Sequence, residues 1–296
     1  MSTSRDMGGL TEITGGDVQA GPTALRLLVG AQLRKLREAA EITREQAGYH
    51  IRGSHSKISR MEGGRTGFKM RDVADLLTLY GIVDGGEREP LLLLAEQANQ
   101  AGWWAEYRDA VPDWFEEYLG LEHDSELIRS YEIRRVPDLL QTEDYARAAM
   151  AHIEPRDHID QRLALLRRRQ EHMRASGRRL WAIVDEGALR RQVGGPEVMR
   201  AQIDHLIELA ELKNITLQVL PFSTEAAVGG VGSVTLLRFP QAELDDIVYL
   251  ELLAGALYYG KDAEVAPYRH LLNDLGVQAP PPRETAAFLR AIRDEL

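Results

Sequence analysis

The stretch TREQAGYHIRGSHSKISRMEGG, residues 43–64, constrains this chain more than any other. Thr43 followed three residues on by Gln46 spells a capping box, in which each side chain satisfies the other residue's backbone N–H. The helix it opens runs through Ala47 to about His50. Ile51-Arg52-Gly53 then make a turn that must be tight for two helices to cross, and Gly53 is expected to supply its positive φ. Ser54 caps the next helix, and Gly63-Gly64 stop it. This is the layout of a helix-turn-helix unit, whose second helix enters the DNA major groove.

On that second helix Ile58 and Met61, three apart, are expected to face the core. The residues left outside near its start are Ser54, His55, Ser56, Lys57, Ser59 and Arg60. They are the candidates for reading bases, since Arg and Lys suit guanine N7 and O6 while Ser donates or accepts. Arg44 lies in the first turn of the preceding helix, where side chain and helix N-terminus both address a phosphate. Arg65 and Lys69 follow, placed for the DNA backbone. Residues 24–40 carry Leu25, Leu28, Val29, Leu33 and Leu36 on one helical face, and 70–80 carry Val73, Leu76, Leu77 and Tyr80. With a fifth helix at 87–101, residues 24–101 read as a mainly α, five-helix domain.

The net charge of −10 looks wrong for a partner of DNA until it is divided along the chain. Over residues 24–81 Lys and Arg outnumber Asp and Glu by 11 to 6, whereas from residue 82 onward acids lead by 37 to 24. Such asymmetry is expected when one domain meets phosphate and another does not. The absence of Cys excludes disulfides and thiolate metal sites and fits a reducing compartment. No apolar run approaches the ~20 residues of a membrane span. Residues 1–23, rich in Gly, Ser and Thr, lack the pattern of a signal peptide and read as a disordered arm. The expected location is the cytoplasm, at the nucleoid.

Leu33-Arg34-Lys35-Leu36-Arg37, Thr43-Arg44-Glu45-Gln46-Ala47 and Lys57-Ile58-Ser59-Arg60-Met61-Glu62-Gly63-Gly64-Arg65 together resemble the helix-turn-helix family of phage repressors, Cro and xenobiotic-response-element (XRE) regulators. The resemblance implies a DNA contact at Arg44, the first residue after the cap. The chain departs from the family at the turn, with Arg52 then Gly53 where relatives carry Gly then Val. The aim of Lys57 is therefore expected to be firmer than that of His55.

Beyond residue 101 the pattern changes. Trp103-Trp104 and Trp114-Phe115 around Pro112 read as an aromatic-rich hinge over 102–124, with a ligand-stacking platform as the alternative. Strands are expected at 126–133, 180–184, 215–220, 233–239 and 247–252. Helices are expected at 142–152, 155–173, 196–212, 264–275 and 284–296. Residues 125–279 thus read as an α+β domain with a small mixed sheet. Pro280-Pro281-Pro282 forms a stiff linker from which the last helix, 280–296, swings onto a partner.

Patterns that carry chemistry are weak here. Gly229-Gly230-Val231-Gly232 lacks the Lys-Ser/Thr of a phosphate loop, and no Gly-x-Ser-x-Gly elbow occurs. His152, His158 and His172 lack metal-ligand spacing and read as solvated surface. Asp185-Glu186 read as helix caps rather than paired catalytic acids. Arg167-Arg168-Arg169 read as a solvated helix face, with an acidic partner or further DNA as the alternative. Neither an enzyme, nor a cofactor, nor a metal is expected.

Tyr131-Glu132, Val136-Pro137-Asp138-Leu139-Leu140-Gln141-Thr142-Glu143-Asp144-Tyr145-Ala146, residues 215–221 and Tyr249-Leu250-Glu251 resemble the uncharacterised, antitoxin-like C-terminal domain joined to such modules in streptomycetes and other actinobacteria. The resemblance implies a transcriptional regulator linked to development and antibiotic production, with a very small protein encoded by the neighbouring gene as companion. The leading expectation is a homodimer on double-stranded DNA, its two recognition helices about 34 Å apart. A small protein or a small-molecule effector would act on its second domain. The alternative is an antitoxin-like interaction module that sequesters the small neighbour, with DNA binding as autoregulation.

Overall fold

The computed structural model describes residues 20–151, 155–224 and 232–296. Most of the proposed arm, 1–19, lies outside them, as do His152 and Gly229-Gly230-Val231. The chain divides into two compact units, with the main boundary between Ala105 and Glu106.

Among its described residues the first unit has five helices: α1 (Pro22–Ala39), α2 (Arg44–His50), α3 (His55–Glu62), α4 (Met70–Leu79) and α5 (Gly85–Ala98). Pro22 opens α1, where a missing N–H costs nothing. The periodic apolar residues of α1 meet Ile58 and Met61 of α3 and Leu76, Leu77 and Leu91 in one core. Both halves of the Thr43–Gln46 capping box form, at 3.2 and 2.8 Å.

Each of the first four helices ends in the same way. The residue after the C-cap turns left-handed, at Glu41 (φ 57°), Arg52 (φ 54°), Gly64 (φ 65°) and Gly81 (φ 82°). After α2, the Arg52 N–H donates to Tyr49 O at 3.1 Å and the Gly53 N–H to Gly48 O at 2.8 Å. That pair of bonds is a Schellman motif. The expectation that Gly53 takes the positive φ is therefore corrected: Arg52 takes it. The glycine the crossing requires is Gly48, because a Cβ there would lie 2.9 Å from the carbonyl carbon of Ser54. Gly30 does the same for α1, where a Cβ would lie 2.6 Å from Met61 O.

The second unit is α+β. Its elements in order are a 3₁₀ helix from Trp103 to Ala110 that straddles the boundary, α6 (Asp113–Asp124), β1 (Leu127–Glu132), a 3₁₀ turn (Asp138–Leu140), α7 (Glu143–Met150), α8 (Arg156–Ala175) and β2 (Arg179–Asp185). There follow α9 (Glu186–Arg190), α10 (Pro196–Leu209), β3 (Ile215–Leu220), β4 (Val234–Arg238), β5 (Ile247–Leu252), β6 (Gly255–Tyr259), α11 (Asp262–Gln278) and α12 (Pro282–Asp294). The sheet order is β3-β2-β1-β4-β5-β6. The first three strands are parallel, and β4, β5 and β6 join them antiparallel. Helical crossovers link the parallel strands, as a parallel pair requires. One face packs Tyr131, Ile183, Leu236 and Val248 against Val265, Leu272 and Leu275 of α11.

Several expectations change. Residues 113–124, read as part of a hinge, form α6, which buries Phe115, Tyr118, Leu119 and Leu121 in the second unit. Strand β6 went unforeseen because it is an edge strand, half exposed on both faces and without alternation. The last helix does not swing out. Leu289 and Ile292 of α12 are buried, Thr285 Oγ1 donates to Leu217 O at 2.7 Å, and the Gln218 amide ties down the linker carbonyl of Pro280 at 3.0 Å. The Arg167–Arg169 run is not one solvated face, because successive helical residues point ~100° apart. Arg169 is buried and donates twice to Glu122, at 2.8 Å each. His172 is half-buried and stacks on His123, ring centroids 4.1 Å apart. Asp185 does cap a helix, accepting from the Gly187 N–H at 2.8 Å, whereas Glu186 accepts at 2.8 Å from the N–H of Phe222 in the turn after β3 and so ties down a loop and not a helix end.

Two substitutions test the first unit's backbone account with opposite signs. Glu41→Gly relieves a left-handed non-glycine residue on the surface and is expected to stabilise by roughly 0.5–1 kcal/mol. Gly48→Ala drives a methyl into the Ser54 backbone and is expected to cost about 1–3 kcal/mol. Urea unfolding of the full chain reads both, and equal signs would contradict the geometry.

Candidate nucleic-acid interface

Helix α3 is the element built to be presented. Ser54 Oγ accepts from the Lys57 N–H at 3.2 Å and so closes its N-terminus. Ile58 and Met61, both 1% exposed, seat it in the core. Along the rest of its surface Ser54, His55, Ser56, Ser59 and Arg60 are exposed. Arg65 and Lys69 are exposed beyond it, Lys69 at the N-cap of α4.

Both ends of α3 are held by charge. At its C-terminal end the buried Glu62 carboxylate accepts from three nitrogens. Arg37 of α1 donates through Nε and through Nη2, the latter at 3.1 Å, and Arg44 of α2 through Nε at 2.8 Å. The Glu62 carboxylate beside it holds the Arg37 guanidinium above its usual range, against the cost of burial. At the N-terminal end the Lys57 ammonium binds Asp72 of α4. These pairs are partly or wholly screened from water, where an ion pair with good geometry also fixes orientation.

The structure thus sorts the sequence candidates. Ser54, His55, Ser56, Ser59, Arg60, Arg65 and Lys69 share an exposed stretch. His55 stands 3.7 Å from Glu45. Lys57, expected to have a firmer aim at DNA than His55, is turned toward Asp72. Asp72, one turn into reach of the Lys57 ammonium, supplies the physical reason. Arg44 is held through Nε by Glu62 at 2.8 Å, with its side chain 33% exposed.

Sequence reasoning missed the two carboxylates that do the holding, since Glu62 and Asp72 look like ordinary helix-surface acids in the chain. It also missed Tyr49, 88% exposed at the end of α2, and the exposed Arg52 beside it. A large aromatic on the polar side of a short helix was the available signal for Tyr49. Among the described residues no group of His, Asp and Glu is arranged to hold a metal ion, and no helix is long and apolar enough to cross a membrane.

The clamp makes a stability prediction. Glu62→Gln leaves the buried Arg37 with only the exposed Glu38 carboxylate, 3.3 Å away, as counter-charge and is expected to cost about 3 kcal/mol. Arg44→Ala removes a part-exposed partner and is expected to cost ~1 kcal/mol or less. Chemical denaturation that finds the two equal would show that Arg37 does not depend on Glu62.

Comparison with known proteins follows the same division. A helix-turn-helix domain family matches residues 28–91, and a domain of unknown function, DUF5753, matches residues 115–291. No curated protein and no solved structure matches the chain.

Proposed function

Because the chain belongs to the DUF5753 family and carries a helix-turn-helix, DNA-binding head of the kind found in regulators, we propose that it is a sequence-specific transcriptional regulator of the XRE/Cro type. The observation that carries this reading is the state of α3: core-seated at Ile58 and Met61, pinned at both ends, and bare along Ser54, His55, Ser56, Ser59 and Arg60. A rigid helix with small polar side chains and one free guanidinium suits a major groove, where Arg reads guanine. Arg44, Arg65 and Lys69 would hold the flanking phosphates and set the register.

One such helix reads only a few base pairs. The proposal therefore includes a homodimer, with half-sites about one helical turn apart, in the cytoplasm at the nucleoid. The second domain is the regulatory part. A ligand or a small protein partner that favours one arrangement of the two heads would shift DNA affinity by its differential affinity for that arrangement. This is a binding protein and not an enzyme, in keeping with a sequence that lacks nucleophile and phosphate-loop patterns. Sequestration of a small neighbour-encoded protein is the reading to set against it, and co-purification of that protein in place of operator binding would favour it.

Genome-wide mapping of bound DNA supplies the operator, and fluorescence anisotropy on that operator supplies the test. Arg60→Ala is expected to lower specific affinity by roughly 1–3 kcal/mol and to relax preference at one position. Lys57→Ala is expected to act mainly through stability. Unchanged operator affinity for Arg60→Ala together with Ser59→Ala would remove α3 as the reading helix. Affinity is also expected to fall steeply with salt in spite of the acidic total charge, with log K linear in log salt. A flat titration would show that the basic residues of the first unit are not the contact surface.

A further inference from the structure

The second face of the sheet, opposite α11, carries an unusual polar stripe. Ser130 of β1 pairs with Thr235 of β4, which pairs with Tyr249 of β5, so the three hydroxyls lie in one row across the sheet. Two residues further on, Glu132 and Glu251 lie on the same face. Helix α6 and the segment after β1 close over this stripe and leave a small cavity, lined also by Tyr118, Arg135, Asp138 and Arg169. All of these residues belong to the second unit.

Two of the hydroxyls are orphans. Ser130 and Tyr249 are 4% and 5% exposed, and among the described residues neither Ser130 Oγ nor the Tyr249 hydroxyl has a hydrogen-bond partner. Buried groups of this kind are normally satisfied, and leaving one unmet costs about 1–3 kcal/mol. Something is expected to meet them.

The charges around the cavity narrow the choice. Arg135 is paired with Glu251 at 3.1 Å and stands 3.6 Å from Asp138. Arg169 is paired with Glu122 at 2.8 Å and with Asp138 at 3.3 Å. An anion would have to displace one of those carboxylates. Glu132 has no ion-pair partner within 4.0 Å among the described residues, and burial pushes its carboxyl up to about 7 against the opposing pull of the neighbouring Ser233 hydroxyl and the Arg135 charge. The groups left to meet an occupant are thus two unpartnered hydroxyls and a carboxyl without an ion pair, all able to accept. A primary ammonium has three donors and no acceptor, and is the complementary group. The cavity's volume of about 40 Å³ is close to the room taken by a single water. It therefore takes a head group only, and the remainder of the occupant can leave only where the part-exposed Arg135–Glu251 ion pair, closed at 3.1 Å, opens to let it pass.

We propose that this cavity is a binding site for the ammonium group of an alkyl amine, held by Glu132 and the hydroxyls of Ser130 and Tyr249. The ammonium can arrive on a free small amine or on a lysine side chain, and both present the same chemistry to the site. The inference goes beyond the DNA-binding reading and does not need it, because occupancy can be measured with no DNA present.

Calorimetric titration of the full chain with butylamine, with Nα-acetyl-lysine methylamide and with 1-butanol as the neutral control tests the assignment. Saturable binding of either amine, with none for the alcohol, supports it. Tighter binding of butylamine identifies a free amine as the source, and tighter binding of the lysine derivative identifies a lysyl side chain. Glu132→Gln is isosteric and is expected to weaken binding about tenfold or more, and Tyr249→Phe roughly three- to tenfold. The urea midpoint of each variant checks that it has folded. No saturable binding of either amine up to about 10 mM, equal binding of the alcohol, or affinity unchanged in both folded variants would overturn the proposal and leave water as the occupant.

Discussion

The Glu62 carboxylate is the interaction on which the presentation of α3 depends. It sits at the C-terminal end of that helix, nearly sealed from solvent, and joins α1 through Arg37 and α2 through Arg44. Removing a carboxylate from water is expensive, and only multiple charge-assisted hydrogen bonds return enough to hold it there. Such bonds are directional, so they orient the helix as well as retain it. Gly30 allows the close approach, since its bare Cα lets α1 run against the Met61 and Glu62 carbonyls. With Lys57 on Asp72 at the other end, the exposed side chains between the anchors project from a frame with little freedom to rotate.

The left-handed residues after α1 to α4 serve the same end. A helix that stops one residue late would rotate its successor by about 100° and turn a reading face into a core face. Repeated Schellman closures stop each helix at a defined residue. That two of the four left-handed positions are Glu41 and Arg52 rather than glycine shows that packing of the flanking helices overrides a local cost of about 1–2 kcal/mol.

In the second unit the most deeply buried acids are tied up in pairs. Asp246 lies between Arg238 at 3.0 Å and Arg269 at 3.2 Å, and Glu122 is held by Arg169. A sheet covered on both faces is ordinarily apolar on both. Here the face against α11 is mainly apolar, with Arg129 and Gln218 as its buried polar members, while the other carries Ser130, Glu132, Thr235, Tyr249 and Glu251.

The chain by itself determined what is local. Capping boxes, apolar periods of 3.6 and runs of alternating strand residues specify helices and strands through contacts between near neighbours. On these the five helices of the first unit and five of the six strands were legible, including β3 and β5 to the residue. The bareness of His55, Ser56, Ser59 and Arg60 followed from the same spacing, because Ile58 and Met61 fix which way α3 faces. Only the tertiary structure decided which charges are spent internally. Lys57 and Arg60 are alike in sequence, and what separates them is Asp72, far along the chain and brought near by the fold. The same holds for Arg169 against Arg167, for the seating of α12, and for the row formed by Ser130, Thr235 and Tyr249. Electrostatic partners, strand order and cavity walls arise from contacts between residues distant in sequence, and no short-range period encodes them.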